Sequence, residues 1–231
     1  MRPAAYTLLA SGVGLLALIS APAVEADGMT DLVAPYLRAR DDRVVGEVVG
    51  RAYRDAPRPT APVIPLEGVS VMLLPYSPSV ESELDDIKDH LRDSLRHYMG
   101  AAGDIDAARG AYEGNLVWVG GGELVRGEVS NAEGLVTFAG VPVGEWILLA
   151  WREEARPGKP PKLRAQETRG FRDIPVSVGH SVVTYWWMRI RVMSGETTTV
   201  EFNDRNVWIA AIHEHFQMLQ GGANSPTRKR R

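Results

Sequence analysis

The 231-residue chain contains no cysteine. This absence excludes disulfide bridges, thiolate metal sites, cysteine nucleophiles and lipid attachment at cysteine. The formal net charge is only -3, so no global excess of positive charge indicates a nucleic-acid partner. Beyond the N-terminal region, no run reaches the ~18 apolar residues that a membrane-spanning helix needs. Stability must come from a packed core, and the length suffices for one domain with insertions or two small domains.

The sequence motifs of common catalytic sites are also missing. The chain has no Gly-x-Ser-x-Gly, no phosphate-binding glycine loop that leads into a helix, and no His-Glu-x-x-His. The run Gly120-Gly121-Gly122 lies between two predicted strands and is interpreted as a hairpin turn. We therefore predict no catalytic residues, no cofactor and no enzymatic activity.

Residues 1–26 have the pattern of a secretory signal peptide. Arg2 supplies the positive charge, residues 8–19 form an apolar core, and Ala21-Pro22-Ala23 fits a small-x-small cleavage site. The apolar core is short for a membrane span. We therefore expect an exported protein, periplasmic or secreted, with no transmembrane span in the mature chain. An uncleaved N-terminal segment that anchors the protein in a membrane is the alternative.

Glycine and proline are abundant, with 23 and 15 residues spread along the chain, and this favours turns and β structure. The most informative stretch, residues 131–150, has a strand-turn-strand pattern around Gly134 and Gly140. Alternating or β-branched runs predict further strands. These lie at residues 44–53, 69–73, 116–119, 123–129, 182–192 and 198–202.

Two segments show helical periodicity instead. Within residues 77–112, apolar residues recur every three or four positions and predict an amphipathic helix over residues 80–98, with a weaker helical turn near 104–109. A second stripe predicts a C-terminal helix within residues 204–222. The remaining segments are predicted to be mostly irregular. They are the leader segment 27–43, the polar, arginine-rich loop 152–172 and the disordered basic tail 223–231. The leader segment carries one short predicted helix near residues 32–38.

Three pieces of the chain together resemble one protein family. Val45-Gly46-Glu47-Val48 resembles the Gly-x-Val first strand of carboxypeptidase regulatory-like domains, and residues 65–73 (Pro-Leu-Glu-Gly-Val-Ser-Val-Met-Leu) resemble their second strand. Residues 133–146 are similar to the family's Asp-Gly-x-Phe-x-Phe-x-x-Leu-Pro-x-Gly-x-Tyr run. In this chain Val136, Val141 and Trp146 replace the first Phe, the Leu and the Tyr.

The resemblance implies a mainly β fold of an exported bacterial protein: a seven-stranded transthyretin-like (prealbumin-like) β-sandwich. It would span residues 44–203, with an unusual helical insertion at 77–112 and the C-terminal helix outside it. Such domains are usually non-catalytic binding, spacer or assembly modules, and some relatives are starch-binding-like. Because a fold alone does not determine function, activity has to be argued from a site.

The candidate ligand surface is the outer face of the strand at residues 182–192. Alternation places Trp186 in the core and four residues on the opposite face: Tyr185, Trp187, Arg189 and Arg191. Aromatic rings stack on sugars, and arginines bind carboxylates or phosphates. The alternative is that the inserted helix lies over this strand and buries Trp187 against Leu84, Leu91 or Leu95.

The histidines do not predict a metal site. His213 and His215 would share a face only on a strand, and the predicted C-terminal helix makes them diverge. His90 and His97 share one side of the inserted helix, beside carboxylates that are normally solvated. The basic loop and the residues 228–231 could contact an anionic surface.

We therefore predict an exported, non-catalytic β-sandwich module for protein binding or envelope scaffolding. The first alternative is a carbohydrate-binding module that uses Tyr185 and Trp187, with a polysaccharide as its partner. The second alternative is a metal-dependent enzyme.

Overall fold

The computed structural model describes residues 23–56, 58, 61–158 and 173–220. Residues 1–22 of the predicted signal peptide, residues 159–172 of the predicted polar loop and the predicted basic tail lie outside this part. Two β-sheets pack face to face and three helices pack around them. The predicted mainly β sandwich with inserted helical structure is therefore confirmed.

Nine strands and three helices make up the described part of the chain, where seven strands had been predicted. The strands are β1 (Val45–Arg54), β2 (Ile64–Pro65), β3 (Ser70–Pro75), β4 (Arg126–Val129), β5 (Leu135–Pro142), β6 (Gly144–Pro157), β7 (Asp173–Val192), β8 (Thr197–Phe202) and β9 (Ile209–Gln220). The helices are α1 (Ala23–Asp41), α2 (Pro78–His90) and α3 (Leu95–Trp118), with a 3-10 turn at Gly122–Leu124.

The smaller sheet is built around β1. This strand pairs antiparallel with β2 and β5, and parallel with β8. The larger sheet has the strand order β4-β3-β6-β7-β9, with every pair antiparallel. Consecutive strands β6 and β7 are the longest in the fold, and they determine how far the larger sheet extends.

The sandwich core lies between the two sheets and follows the alternation of the strands. Trp186 of β7 packs edge-to-face on Phe202 of β8, with 6.2 Å between ring centroids. Its indole N–H donates to the carbonyl of Asn203 at 2.9 Å. Ile190 and Val192 are buried on the same face, as predicted. Thr184 is only half-buried because the larger sheet runs past the end of the smaller sheet there.

Helix α3 covers the outer face of the larger sheet. Its buried residues recur at helical spacing and form one apolar stripe: Ala101, Ala102, Ile105, Ala108, Tyr112 and Leu116. The Tyr112 hydroxyl donates to the carbonyl of Pro75 at 2.9 Å. The guanidinium of Arg109 lies 5.2 Å from the ring centroid of Trp151 on β6.

The helical insertion differs from the prediction in two ways. The helix predicted over residues 80–98 is two helices, since Ser94 caps a new helix by accepting a hydrogen bond from the His97 backbone N–H at 3.1 Å. Residues 116–119, predicted as a strand, are instead the last residues of α3 and its C-cap, Val119. Glycines lower the intrinsic helix propensity of this segment, but burial of its apolar stripe against the sheet outweighs that cost.

The predicted C-terminal helix is wrong. Residues 209–220 form β9, which pairs antiparallel with β7 along almost its whole length. The apolar residues of this segment fit both periods, and the hydrogen-bonding edge of β7 favours the strand. The polar loop was also predicted to begin too early, since β6 continues to Pro157.

The predicted leader segment is ordered as α1 and packs on the sandwich. Val33 and Tyr36 are buried. The Tyr36 hydroxyl bonds to the carbonyl of Glu145 and accepts from the Tyr76 backbone N–H at 3.3 Å, and its ring meets Trp146 edge-to-face at 5.1 Å. None of the helices in the described ranges is long and apolar enough to cross a bilayer.

Candidate functional site

The predicted outer stripe of β7 does not form one open surface. Tyr185 is only 2% exposed and lies under α3, where Asp106 and Arg109 are its charged neighbours. Trp187 is half-buried, and its indole N–H is buried without a hydrogen-bond partner among the described residues. Tyr185 is therefore covered by α3, and Trp187 is only half-buried.

The two arginines of the stripe are exposed, but they already interact with other side chains of the protein. The guanidinium of Arg189 lies 3.7 Å from the ring centroid of Tyr76 and bonds to the carboxylate of Glu145. The bond to Glu145 is the main cause that raises the pKa of Arg189. Arg191 approaches the same carboxylate at 3.9 Å. Ligand binding by Arg189 and Arg191 stays a prediction, and a ligand would have to compete with Glu145.

Two buried tyrosines, Tyr112 of α3 and Tyr185 of β7, make the free energy of unfolding decrease at alkaline pH. Burial raises the pKa of Tyr112 and of Tyr185 above the ordinary range, and the charges of Tyr36 and Asp106 respectively add to the rise. An unfolded tyrosine ionises near pH ~10 while the buried one stays neutral. The stabilisation is therefore complete below about pH 10 and is lost as the pH rises above that value.

We expect the free energy of unfolding to fall above about pH 10, by at most about 1.4 kcal/mol per pH unit for each buried tyrosine. Urea titrations at a series of alkaline pH values measure this slope. The substitution Tyr185→Phe should remove its share of the slope. An unchanged slope in Tyr185→Phe would show that this hydroxyl ionises equally well in the folded protein.

Three strands of the larger sheet project beyond the smaller sheet. An ion pair joins the two sheets where Arg54 at the end of β1 meets Glu154 of β6, with 3.2 Å between Nη2 and Oε1. From that level β7 continues back to Asp173, which corresponds to roughly 30 Å of strand. We call this part the projecting ribbon; it consists of residues 153–157, 173–183 and 211–220.

One side of the projecting ribbon carries an arginine cluster at its base. The carboxylate of Glu154 accepts from Arg152 at 2.6 Å, from Arg54 at 3.2 Å and from Arg156 at 3.4 Å. All four side chains are partly or largely solvent-exposed, and such pairs contribute little stability each. The cluster connects the two sheets at the point where the ribbon begins.

The opposite side of the ribbon carries a histidine pair. Because β9 is a strand, His213 and His215 share a face, and their ring centroids are 5.5 Å apart. Oε1 of Glu153 on β6 lies 3.7 Å from His213 Nδ1 and 3.6 Å from His215 Nε2. His215 Nε2 is also hydrogen-bonded to Ser181 Oγ at 2.6 Å.

This cluster lacks the geometry of a catalytic or metal site. A Ser-His-acid triad needs the acid on the ring nitrogen opposite the serine, but Glu153 approaches the same Nε2 that contacts Ser181. Ser181 is also buried. No group of three or more His, Asp or Glu side chains in the described ranges is arranged to hold a metal ion.

Sequence reasoning missed the participation of Ser181 and Glu153. Reading residues 209–220 as a strand would have placed His213 and His215 on one side. The approach of Glu153 depends on the register of β6 against β7 and of β7 against β9, for which the sequence offers no signal.

The outer edge of β9 is an open edge of the larger sheet within the described part of the chain. Apart from its pairing with β7, β9 makes no backbone–backbone hydrogen bond within the part of the chain that is described. Phe216 and Met218 are both 59% exposed near its end. An open cavity of about 300 Å³ lies across the ribbon, next to the start of α3. Its lining residues are Leu95, Met99, Gly158, Ser177, Gly179, His180, Ile212 and Glu214.

No protein-family model matches the chain, and no curated protein matches its sequence. Similar solved structures include a candidate carbohydrate-binding protein from Pseudomonas aeruginosa, 12% identical over 69% of this chain and 88% of that chain, with a TM-score of 0.36.

Two pilus proteins align as well. The pilus backbone protein of Streptococcus pneumoniae is 13% identical over 68% of this chain and 40% of its own, with a TM-score of 0.26. A minor pilin of Streptococcus agalactiae is 13% identical over 68% of this chain and 94% of its own, with a TM-score of 0.24. Similarities this distant carry no functional argument, and membership of the carboxypeptidase regulatory-like family stays a prediction.

Proposed function

We propose that this protein is an exported, non-catalytic β-sandwich module that binds protein chains through its projecting ribbon and serves as a scaffold. The observation that carries the proposal is the accessible edge of β9 with exposed Phe216 and Met218 beside it. Export rests on the signal-peptide pattern of residues 1–26.

The edge of β9 lacks the features that normally protect a sheet edge. Soluble proteins protect exposed edges with short strands, lysines, prolines or inward-pointing charges. At the other edge of the same sheet, β4 is short and carries Arg126 and Glu128. In β9, residues 215–220 contain no Lys, Asp, Glu or Pro. An edge of this composition favours addition of a strand from another chain.

The two alternative functions find less support in the geometry. A sugar-stacking platform needs exposed rings, whereas Tyr185 is buried and Trp187 is half-buried. An acid/base or metal-dependent reaction at the histidine pair would require the acid on the other ring nitrogen or a third metal ligand.

Site-specific photocrosslinking in cells that express the chain tests the proposal. A photoreactive phenylalanine analogue at Phe216 should give discrete covalent adducts with protein chains. The matched control is the same analogue at Trp118, which is 83% exposed at the end of α3, far from β9 in the sequence. If the analogue gives no adducts at Phe216, or identical adducts at both positions, the ribbon is not a protein-binding surface.

A further inference from the structure

We propose that the chain bound by the ribbon is a second copy of this protein, and that the two β9 strands pair antiparallel about a two-fold axis at Gln217. This inference rests on the proposed function, because it names the partner of the same edge. Three features carry it: where the large side chains of β9 are exposed, the order of residues along β9, and the position of its charge.

Helix α3 packs near β9, and the large exposed side chains of β9 lie toward its end. Leu95 and Met99 in the first turns of α3 line one cavity with Ile212 and Glu214, so the helix begins over the face of the ribbon at that level. Ala211 is buried, whereas Phe216 and Met218 are exposed. We therefore expect the added strand to pair with the end of β9, residues 214–220.

The order of residues in this part of β9 is self-complementary. A two-fold axis through an antiparallel strand pair places residues equally far from the axis opposite each other. About Gln217, Phe216 of each copy lies opposite Met218 of the other. The pairing thus brings four exposed apolar side chains into two cross-strand pairs, and each pair allows a sulfur–aromatic contact.

Neighbouring registers are less favourable because of Glu214. An axis at Glu214 sets that carboxylate opposite its own copy, and like charges directly opposite are destabilising. An axis at residue 215 or 216 sets Glu214 opposite Phe216 or Met218 and also moves the partner toward α3. Only an axis at Gln217 places Phe216 opposite Met218 while it keeps Glu214 away from its own copy and from these two apolar side chains.

The expected dimer is weak. Pairing over residues 214–220 covers roughly 23 Å of strand, less contact than the ~800 Å² per partner of a standard stable interface. We therefore expect a dissociation constant on the order of 100 µM. An interface of this strength assembles where the protein is locally concentrated, which suits a scaffold.

Analytical ultracentrifugation of the purified chain, from about 10 µM to about 1 mM, tests the dimer and its register. The wild-type protein should shift from monomer to dimer across this range. The double variant F216K/M218K places lysines opposite each other in both cross-strand pairs and should remain monomeric. The double variant F216K/M218E places opposite charges in both pairs, and should therefore recover the dimer and lose it again at high salt.

Both variants carry the same lysine at position 216, so a difference between them reports the register rather than a loss of folding. Thermal unfolding midpoints verify that both are folded. Trp118→Lys is the control for an unrelated exposed aromatic residue and should dimerise as the wild type does.

Three results would overturn the inference: a wild-type protein that stays monomeric to about 1 mM, equal behaviour of the two double variants, or loss of the dimer in Trp118→Lys. If the chain is monomeric while Phe216 still crosslinks to another protein, only the identity of the partner is wrong. Absence of crosslinks at Phe216 contradicts the proposed function itself.

Discussion

Replacing Trp146 by alanine is expected to lower the free energy of unfolding by about 3–5 kcal/mol, the range for large aromatic residues removed from a core. The side chain is 0% exposed. Its indole N–H donates to the carbonyl of Pro142 at 2.9 Å, and Tyr36 of α1 packs on it at 5.1 Å between centroids. The substitution therefore leaves a cavity, removes the hydrogen bond to the Pro142 carbonyl and removes the ring on which Tyr36 packs.

Urea denaturation followed by circular dichroism measures this loss. The matched control is Trp118→Ala, which removes the same side chain from a position that is 83% exposed. That variant should remain within about 0.5 kcal/mol of the wild type. Losses of similar size in the two variants would mean that the α1–sandwich contact at Trp146 is not part of the stable core.

Replacing Gly134 by alanine is expected to cost about 2–4 kcal/mol. Gly134 has φ of +74°, a conformation that costs other residues roughly 1–2 kcal/mol. A Cβ atom there would lie 2.2 Å from the carbonyl oxygen of Ala52 and 3.2 Å from the backbone nitrogen of Leu66. Because both neighbours are backbone atoms, β1 must move and its hydrogen bond from Ala52 N–H to the Gly134 carbonyl weakens.

Comparison with Gly140→Ala separates the cost of the backbone conformation from the cost of the steric clash. Gly140 also has a positive φ, +66°, but no described atom lies within 4 Å of the position that a Cβ would take there. The Gly140→Ala substitution should lower the free energy of unfolding only by the cost of the backbone conformation, about 1 kcal/mol. Chemical denaturation of both variants gives the comparison. If Gly134→Ala is no worse than Gly140→Ala, the strands relax without cost and the close approach at Ala52 is unimportant.

The sequence alone was sufficient for the sandwich strands whose two faces differ. In β1 and β5, buried apolar or small residues alternate with half-buried or exposed ones, and period-two alternation is the direct consequence of strand geometry. Gly134 was identified as a turn residue for a related reason, since only glycine adopts its conformation without strain. Strand alternation and turn conformation depend on neighbouring residues, so they can be predicted without tertiary information.

The candidate site was less predictable. The apolar residues of 209–220 satisfy a helical period and a strand pattern together, and the choice was made by the unpaired edge of β7. That choice placed His213 beside His215 and exposed Phe216 and Met218. Since the edge of β7 belongs to a distant segment, no pattern within residues 209–220 could reveal it.

Taken by itself, the sequence determined the absence of covalent cross-links, the β class of the domain and the core face of β7 that contains Trp186. Only the tertiary structure decided which residues of the opposite face are buried, since α3 covers Tyr185 there. A strand's pattern specifies which of its sides are apolar, because side chains alternate along it. It does not specify what covers them, because the covering helix comes from a segment remote in the chain and its docking depends on the packing of the whole fold.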